Sequence, residues 1–270
     1  MNCSDSPDLG GEKGLKNDKI NNQPRRYKLK VMKRNLLLQL LMILASLTAM
    51  GQGNVGRYEV KVGDFKTLRV VNDINVEYVC SADSAGLAVF YTTPDKVMAF
   101  MFDNNMKGKL SIQLTTDEAL APKELPTLRV YSQFLQEAEN DGDSLLNVVK
   151  VTPAPKIKFK LTGNGQIEAH NLSGTEIEAA IVTGSGRIAV SGKCTTANLR
   201  CTGAGEVVAD NLVAEAVKCM LVGTGSIRCN VNDGPLSIKG SGTGKIYYRG
   251  TPTEIKSFQL GTIKAVPIKD

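Results

Sequence analysis

From residue 156 to residue 248 apolar and polar side chains alternate with a period of two, the mark of strands with one buried face. The alternation is interrupted at regular intervals by Gly-x-Gly. Thr162-Gly163-Asn164-Gly165-Gln166-Ile167 recurs around Gly184 and Gly186, Gly203 and Gly205, Gly223 and Gly225, and Gly242 and Gly244. Five copies at this nearly constant spacing are the signature of a repeat architecture. Before the corner the inward positions read Ile157/Phe159/Leu161, Ala197/Leu199/Cys201, Val217/Cys219/Leu221 and Leu236/Ile238/Gly240. The second repeat is looser, with Ala180 and Val182 in those columns and Ala179 and Ile181 outward. After the corner come Ile167/Ala169, Ile188/Val190, Val207/Ala209, Ile227/Cys229 and Ile246/Tyr248. Each repeat is therefore strand, corner, strand and a polar turn such as His170-Asn171, Ser191-Gly192, Asp210-Asn211 or Asn232-Asp233-Gly234.

One such unit cannot bury its apolar face alone. Parallel stacking of successive copies about 4.8 Å apart gives each backbone group a partner and closes a continuous core. The predicted fold is all-β, a parallel β-helix (β-solenoid) with coils of about 20 residues. The ten glycines at the corners then have a structural role, in positive-φ backbone or in close approach between coils.

Residues 54–155 read as less regular β. Leu68–Val71, Ile74–Val79, Leu87–Tyr91, Leu110–Leu114 and Leu128–Tyr131 are strand candidates, Glu118–Glu124 is a loop, and Glu139-Asn140-Asp141-Gly142-Asp143 is a degenerate corner. This region is expected to be a cap with the first coils, since terminal coils face water on one side. A single domain over 54–270 follows, with regular coils over 156–250 and a C-terminal cap over 251–270. Upstream, Met32-Lys33-Arg34 precedes the apolar run Leu36–Leu47 and the small residues Ala49 and Gly51, so 32–51 reads as a secretory signal peptide. The polar residues 1–31 read as disordered, or as lying upstream of a true start at Met32. The mature chain is expected to be exported, with no transmembrane anchor.

Charge changes the picture little. Of 33 Lys/Arg and 27 Asp/Glu, residues 1–51 hold nine and four, which leaves 24 against 23 for the remainder, and this near-balance argues against nucleic acid as a partner. A single His disfavours a Ser/His/Asp set. Six Cys without a metal-ligand spacing give neither a zinc site nor a convincing disulfide framework, and Cys201, Cys219 and Cys229 fall at inward positions as small hydrophobes. The glycine corners match neither a P-loop, a dinucleotide fingerprint nor a calcium roll, so no cofactor or metal is expected. The outward columns after the corner place no two acids on adjacent coils, which speaks against glycoside hydrolysis. Outward positions before the corner carry Lys158, Lys160, Arg200, Lys218 and Lys239, a basic stripe suited to an acidic glycan or another anionic envelope component.

The repeated Thr/Ser-Gly-x-Gly-x-Ile/Val element, together with Phe65-Lys66-Thr67-Leu68 and Ile74-Asn75-Val76-Glu77, resembles the DUF2807 family of auto-transporter adhesin head GIN domains over roughly 60–250. The resemblance implies a right-handed β-helix, a secreted or surface protein of Bacteroidetes, and adhesion at the cell envelope. It transfers no functional residues, and relatives described as lipid-binding or pectinase-like keep those two readings open. The expectation is a non-enzymatic, adhesin-like binding protein, with self-association compatible with its architecture.

Overall fold

The computed structural model describes residues 55–116 and 124–268. The predicted signal peptide, the segment before it and most of the predicted loop at 118–124 lie outside these residues. The described chain is a β-solenoid of about seven turns.

Three long strands form its regular centre: β11 (Gln166–Thr183), β12 (Arg187–Gly203) and β13 (Glu206–Gly223). β10 (Ala154–Thr162) precedes them, and β14 (Ser226–Val231), β15 (Pro235–Gly242), β16 (Lys245–Gly250), β17 (Glu254–Gly261) and β18 (Lys264–Pro267) continue the stack. All their mutual pairings are parallel. The segments before each glycine corner form a front face and those after it a rear face. Residues 251–270, assigned above to a cap, carry β17 and β18, which extend both faces by one more parallel layer.

The corner glycines have a steric cause. Gly163, Gly184, Gly203, Gly223 and Gly242 all have φ between 106° and 127°. The second glycine of each corner faces the coil beneath: a Cβ on Gly205 would lie 2.5 Å from Gly186 O and 2.9 Å from Ile181 Cδ1. Outside the glycines a ladder of side chains ties successive corners together. Asp143 N–H donates to Asp73 Oδ1 (2.9 Å), Asn164 N–H to Asp143 Oδ1 (3.0 Å), and Ser185 N–H to Asn164 Oδ1 (3.2 Å). At the degenerate corner Asn140 is fully buried. Its amide donates to Ser144 O (2.8 Å) and Gln166 O (3.1 Å) while its oxygen accepts from Gly142 N–H. A buried amide without those partners would be costly.

Not every predicted turn is a break. β11, β12 and β13 run straight through the polar positions and only bend there, at Asn171 (φ 56°) and Gly192 (φ 134°). The bend adds a short third side, where Leu172, Cys194, Leu212, Ala214 and Val231 are buried. The inward columns match the alternation, and Ile167, Ile188, Val207, Ile227 and Ile246 form a fully buried ladder. Each contributes about 1.5–3 kcal/mol by leaving water.

The second repeat corrects the reading of its columns. Ala179 aligns with Phe159 and Ile181 with Leu161, both fully buried, whereas Val182 is exposed. The register shifts just after Leu161, where Thr162 pairs with Thr183, so Val182 is the extra residue of a β-bulge. The same insertion lengthens this repeat, and counting back from the glycine placed the strand one position out.

The N-terminal coils are not stacked in chain order. β2 (Thr67–Val71) lies between β6 (Lys109–Leu114) and β8 (Glu137–Asp141), and β3 (Val76–Cys80) lies between β7 (Leu128–Ser132) and β9 (Leu145–Lys150). The chain thus leaves the 67–80 layer, builds the layer outside it, and returns past it to continue the stack. β8 and β9 then pair with β10 and β11. β1 (Gly56–Lys61), β4 (Leu87–Thr92) and β5 (Phe100–Asn104) close this end with antiparallel pairings, around Phe90 stacked near Tyr58 and edge-on to Phe100.

Candidate functional site

Side chains on the front face stand in two outward columns set by the parallel register. One reads Glu137, Lys158, Glu178, Asn198, Lys218, Ser237, Lys256. The other reads Arg69, Glu139, Lys160, Ala180, Arg200, Met220, Lys239, Phe258. The five predicted basic residues do lie on this one face, but in two different settings.

Toward the N-terminal end they are neutralised. Lys158 Nζ lies 3.0 Å from Glu137, and Lys160 3.5 Å from Glu139. Lys156 bridges Glu176 (2.9 Å) and Glu178 (3.4 Å). The hydrogen bond to Glu137 raises the Lys158 pKa against burial, and Glu176, then Glu178, do the same for Lys156. Glu139 is the centre of the network: its side chain is 8% exposed and it meets Lys109 at 2.7 Å, Lys160 at 3.5 Å and Arg69 at 3.7 Å. Burial alone would raise its pKa. The hydrogen bond from Lys109 and the charges of Lys109, Lys160 and Arg69 together outweigh burial and hold the carboxyl below its usual range.

A carboxylate with a depressed folded-state pKa stabilises the fold above its unfolded pKa, and that stability is lost as pH falls through the folded value. Glu139→Gln is therefore expected to cost about 1–3 kcal/mol at neutral pH. It should also flatten the acid limb of a stability-versus-pH curve, measured by urea unfolding in steps from neutral pH down to about pH 3.

Toward the C-terminal end the cations are unpaired. No carboxylate of the described residues lies within 4.0 Å of Arg200, Lys218 or Lys239, and all three are exposed. They border a groove of about 440 Å³ with Glu178, Asn198, Met220 and Ser237. Beside it Met220, Val222, Phe258 and Leu260 expose apolar surface. The alternation alone pointed to the cations. It missed Glu137, Glu139 and Glu178, whose signal was available as a spacing of one repeat from Lys158 and Lys160.

The rear face offers less. Its outward columns read Gln166, Arg187, Glu206, Ser226, Lys245 and Glu168, Ala189, Val208, Arg228, Tyr247, with no two acids in sequence. His170 Nδ1 is 3.0 Å from Ser191 Oγ in a hollow of about 240 Å³. The nearby acids are engaged elsewhere: Asp210 with Arg228 at 3.2 Å, and Glu168 with Arg187 at 4.0 Å. No carboxylate of the described residues orients the imidazole, so among them the pair lacks the third member that activates a serine. Cys194, Cys201, Cys219 and Cys229 are buried free thiols, and burial raises Cys194 and Cys201 to about 11. Among the described residues no group of His, Cys, Asp and Glu is arranged to hold a metal, and no helix is long and apolar enough to cross a membrane.

The fold recurs in solved structures. A putative adhesin of Bacteroides fragilis NCTC 9343 superposes with a TM-score of 0.69 at 20% identity, over 80% of this chain and 98% of that one. A putative lipid binding protein of Parabacteroides distasonis ATCC 8503 gives 0.62 at 20%, over 81% and 98%. A putative adhesin of Parabacteroides merdae ATCC 43184 gives 0.63 at 17%, also over 81% and 98%. No curated protein matches the chain. The glycine corners and the layers that flank them lie inside residues 64–252, the span matched by the model of the DUF2807 family, described as putative auto-transporter adhesin, head GIN domain, and the chain belongs to that family.

Proposed function

We propose that the protein is an exported, adhesin-like binding module of the cell envelope that engages a glycan or another anionic envelope component through its front face, without catalysis. One observation carries this reading: Arg200, Lys218 and Lys239 converge on an open groove, and none has a carboxylate of the described residues within ion-pair distance. Exposed unpaired cations on a rigid sheet attract anions and cost the fold little to maintain. The sequence pattern at 32–51, read as a leader, and the family's adhesin description support the location. The rear-face acids lie in ion pairs rather than facing one another across a cleft, which favours a binder over a polysaccharide-cleaving enzyme.

A second reading, a lipid-binding protein, draws on the exposed Met220, Val222, Phe258 and Leu260 beside the cations and on the description of one structural neighbour.

The test is a glycan-array and envelope-extract screen with reducing-sugar release assayed in parallel. The triple variant Arg200→Glu/Lys218→Glu/Lys239→Glu should lose about tenfold or more in affinity, and the wild-type signal should fall with added salt. Salt-insensitive binding retained by the triple variant, or sugar release, would contradict the proposal.

A further inference from the structure

Four cations follow one another along the front face, one on each successive coil: Arg200, Lys218, Lys239 and Lys256. They alternate between the two outward columns. Arg200 and Lys239 share one column with Met220 between them, and Lys218 and Lys256 share the other with Ser237 between them. The first three are unpaired, and Lys256 at the outer end shares its charge with Glu254 at 3.1 Å. At a rise of about 4.8 Å per coil, cations within a column recur about every 9–10 Å.

Resting on the binding reading above, we propose that the groove takes a linear anionic glycan lying along the solenoid axis, with carboxylate or sulfate groups that recur about every two coils. Direction decides the match. A ligand lying along a strand meets one cation, for example Lys218 followed by Met220 and Val222, whereas a ligand along the axis meets the whole series. The residues between the cations suit a sugar chain: Met220, 39% exposed, offers an apolar patch to a ring face, and Ser237 offers a hydroxyl. The footprint has a defined limit. Glu178 stands in the Lys218 column two coils toward the N terminus, with Asn198 between, and repels an anion there. Beyond it the face is an alternation of paired acids and bases. A flat anionic surface would meet the partly exposed acids Glu137 and Glu178 as well as the cations, whereas a narrow polymer avoids them.

The experiment titrates the full chain with oligogalacturonates from monomer to octamer, with sulfated and neutral dextran, and with anionic phospholipid vesicles, at low and physiological salt. Affinity for the uronates is expected to rise about tenfold or more from monomer to tetramer and then level off, because a multivalent ligand gains only while it adds contacts. Lys239→Glu should weaken tetramer binding about tenfold, and Glu178→Gln should strengthen octamer binding severalfold by lengthening the footprint. Circular dichroism of both variants checks that they fold. Stronger binding of sulfated dextran than of uronates would assign the anion as sulfate. Equal binding of monomer and octamer, no effect of either substitution in folded protein, or binding of vesicles but of no oligomer would overturn the inference. Retained binding of neutral glycans without a chain-length effect sinks this inference alone, whereas absence of binding to every glycan, to vesicles and to envelope extract sinks the adhesin-like reading too.

Discussion

Gly203→Ala is expected to destabilise the protein by about 3 kcal/mol or more, the sum of backbone strain and a collision that cannot relax. Gly203 has φ +118°, and a Cβ placed on it would sit 2.6 Å from Gly184 O and 3.2 Å from Gly184 N. Those atoms belong to the equivalent corner of the preceding coil, which is itself packed against Gly163. Backing away would therefore disturb a whole stack of corners. Gly108→Ala is the matched control. It also has positive φ (+74°), but the nearest atom to its Cβ would be Lys66 N at 3.7 Å, so only the conformational cost of about 1–2 kcal/mol remains. Urea unfolding of the two variants separates strain from collision. Equal losses would show that the corner glycines serve conformation alone.

The second large effect is expected from Ile188→Asp. Ile188 is fully buried between Ile167 and Val207 on the adjacent coils. A carboxyl there replaces apolar contacts worth about 2–5 kcal/mol and has to be buried without a partner. Because coils interact chiefly with their neighbours, the break should be local. Limited proteolysis is expected to cut the variant near the corners on either side of residue 188 while residues 56–116 and 124–150 stay protected. Ile188→Val, which keeps the shape of the column, should cost only about 0.5–1.5 kcal/mol. A variant with Asp that resists protease as the wild type does would mean that the ladder is not what holds successive coils together.

The regular coils were legible because two constraints coincide in the sequence. Period-two alternation assigns the face of each side chain, and the Gly-x-Gly corner fixes where each coil turns. Where one constraint slipped, the reading slipped with it: the inserted Val182 moved the second repeat by one position and reversed the assignment of Ala179 and Ile181. The third side was hidden because Asn171 and Gly192 bend a strand without ending it. The layer order at the N-terminal end was hidden for a different reason, since alternation within β2 or β6 says nothing about which segment lies beside it. The basic stripe was half visible. Outward cations can be read from alternation, but whether a cation is free depends on its neighbour one coil away, and Glu137 and Glu139 change the character of Lys158 and Lys160.

The out-of-order layers also bear on how the chain reaches its folded state. Leu68 is flanked by Leu110 on one side and Ala138 on the other, partners that arrive only much further along the chain. A chain emerging from its N terminus, whether from a ribosome or through a secretion channel, cannot complete the 67–80 layer until the end of β9 at Lys150 is free. Loop closure over such separations is slow compared with pairing of neighbouring coils. The 67–80 layer, among the first to appear, thus settles only after the layer outside it has been built and the chain has returned, and until then the emerging half has no finished surface on which the later coils can begin to stack. Such a delay keeps the N-terminal half of the polypeptide threadable until residue 150 has emerged.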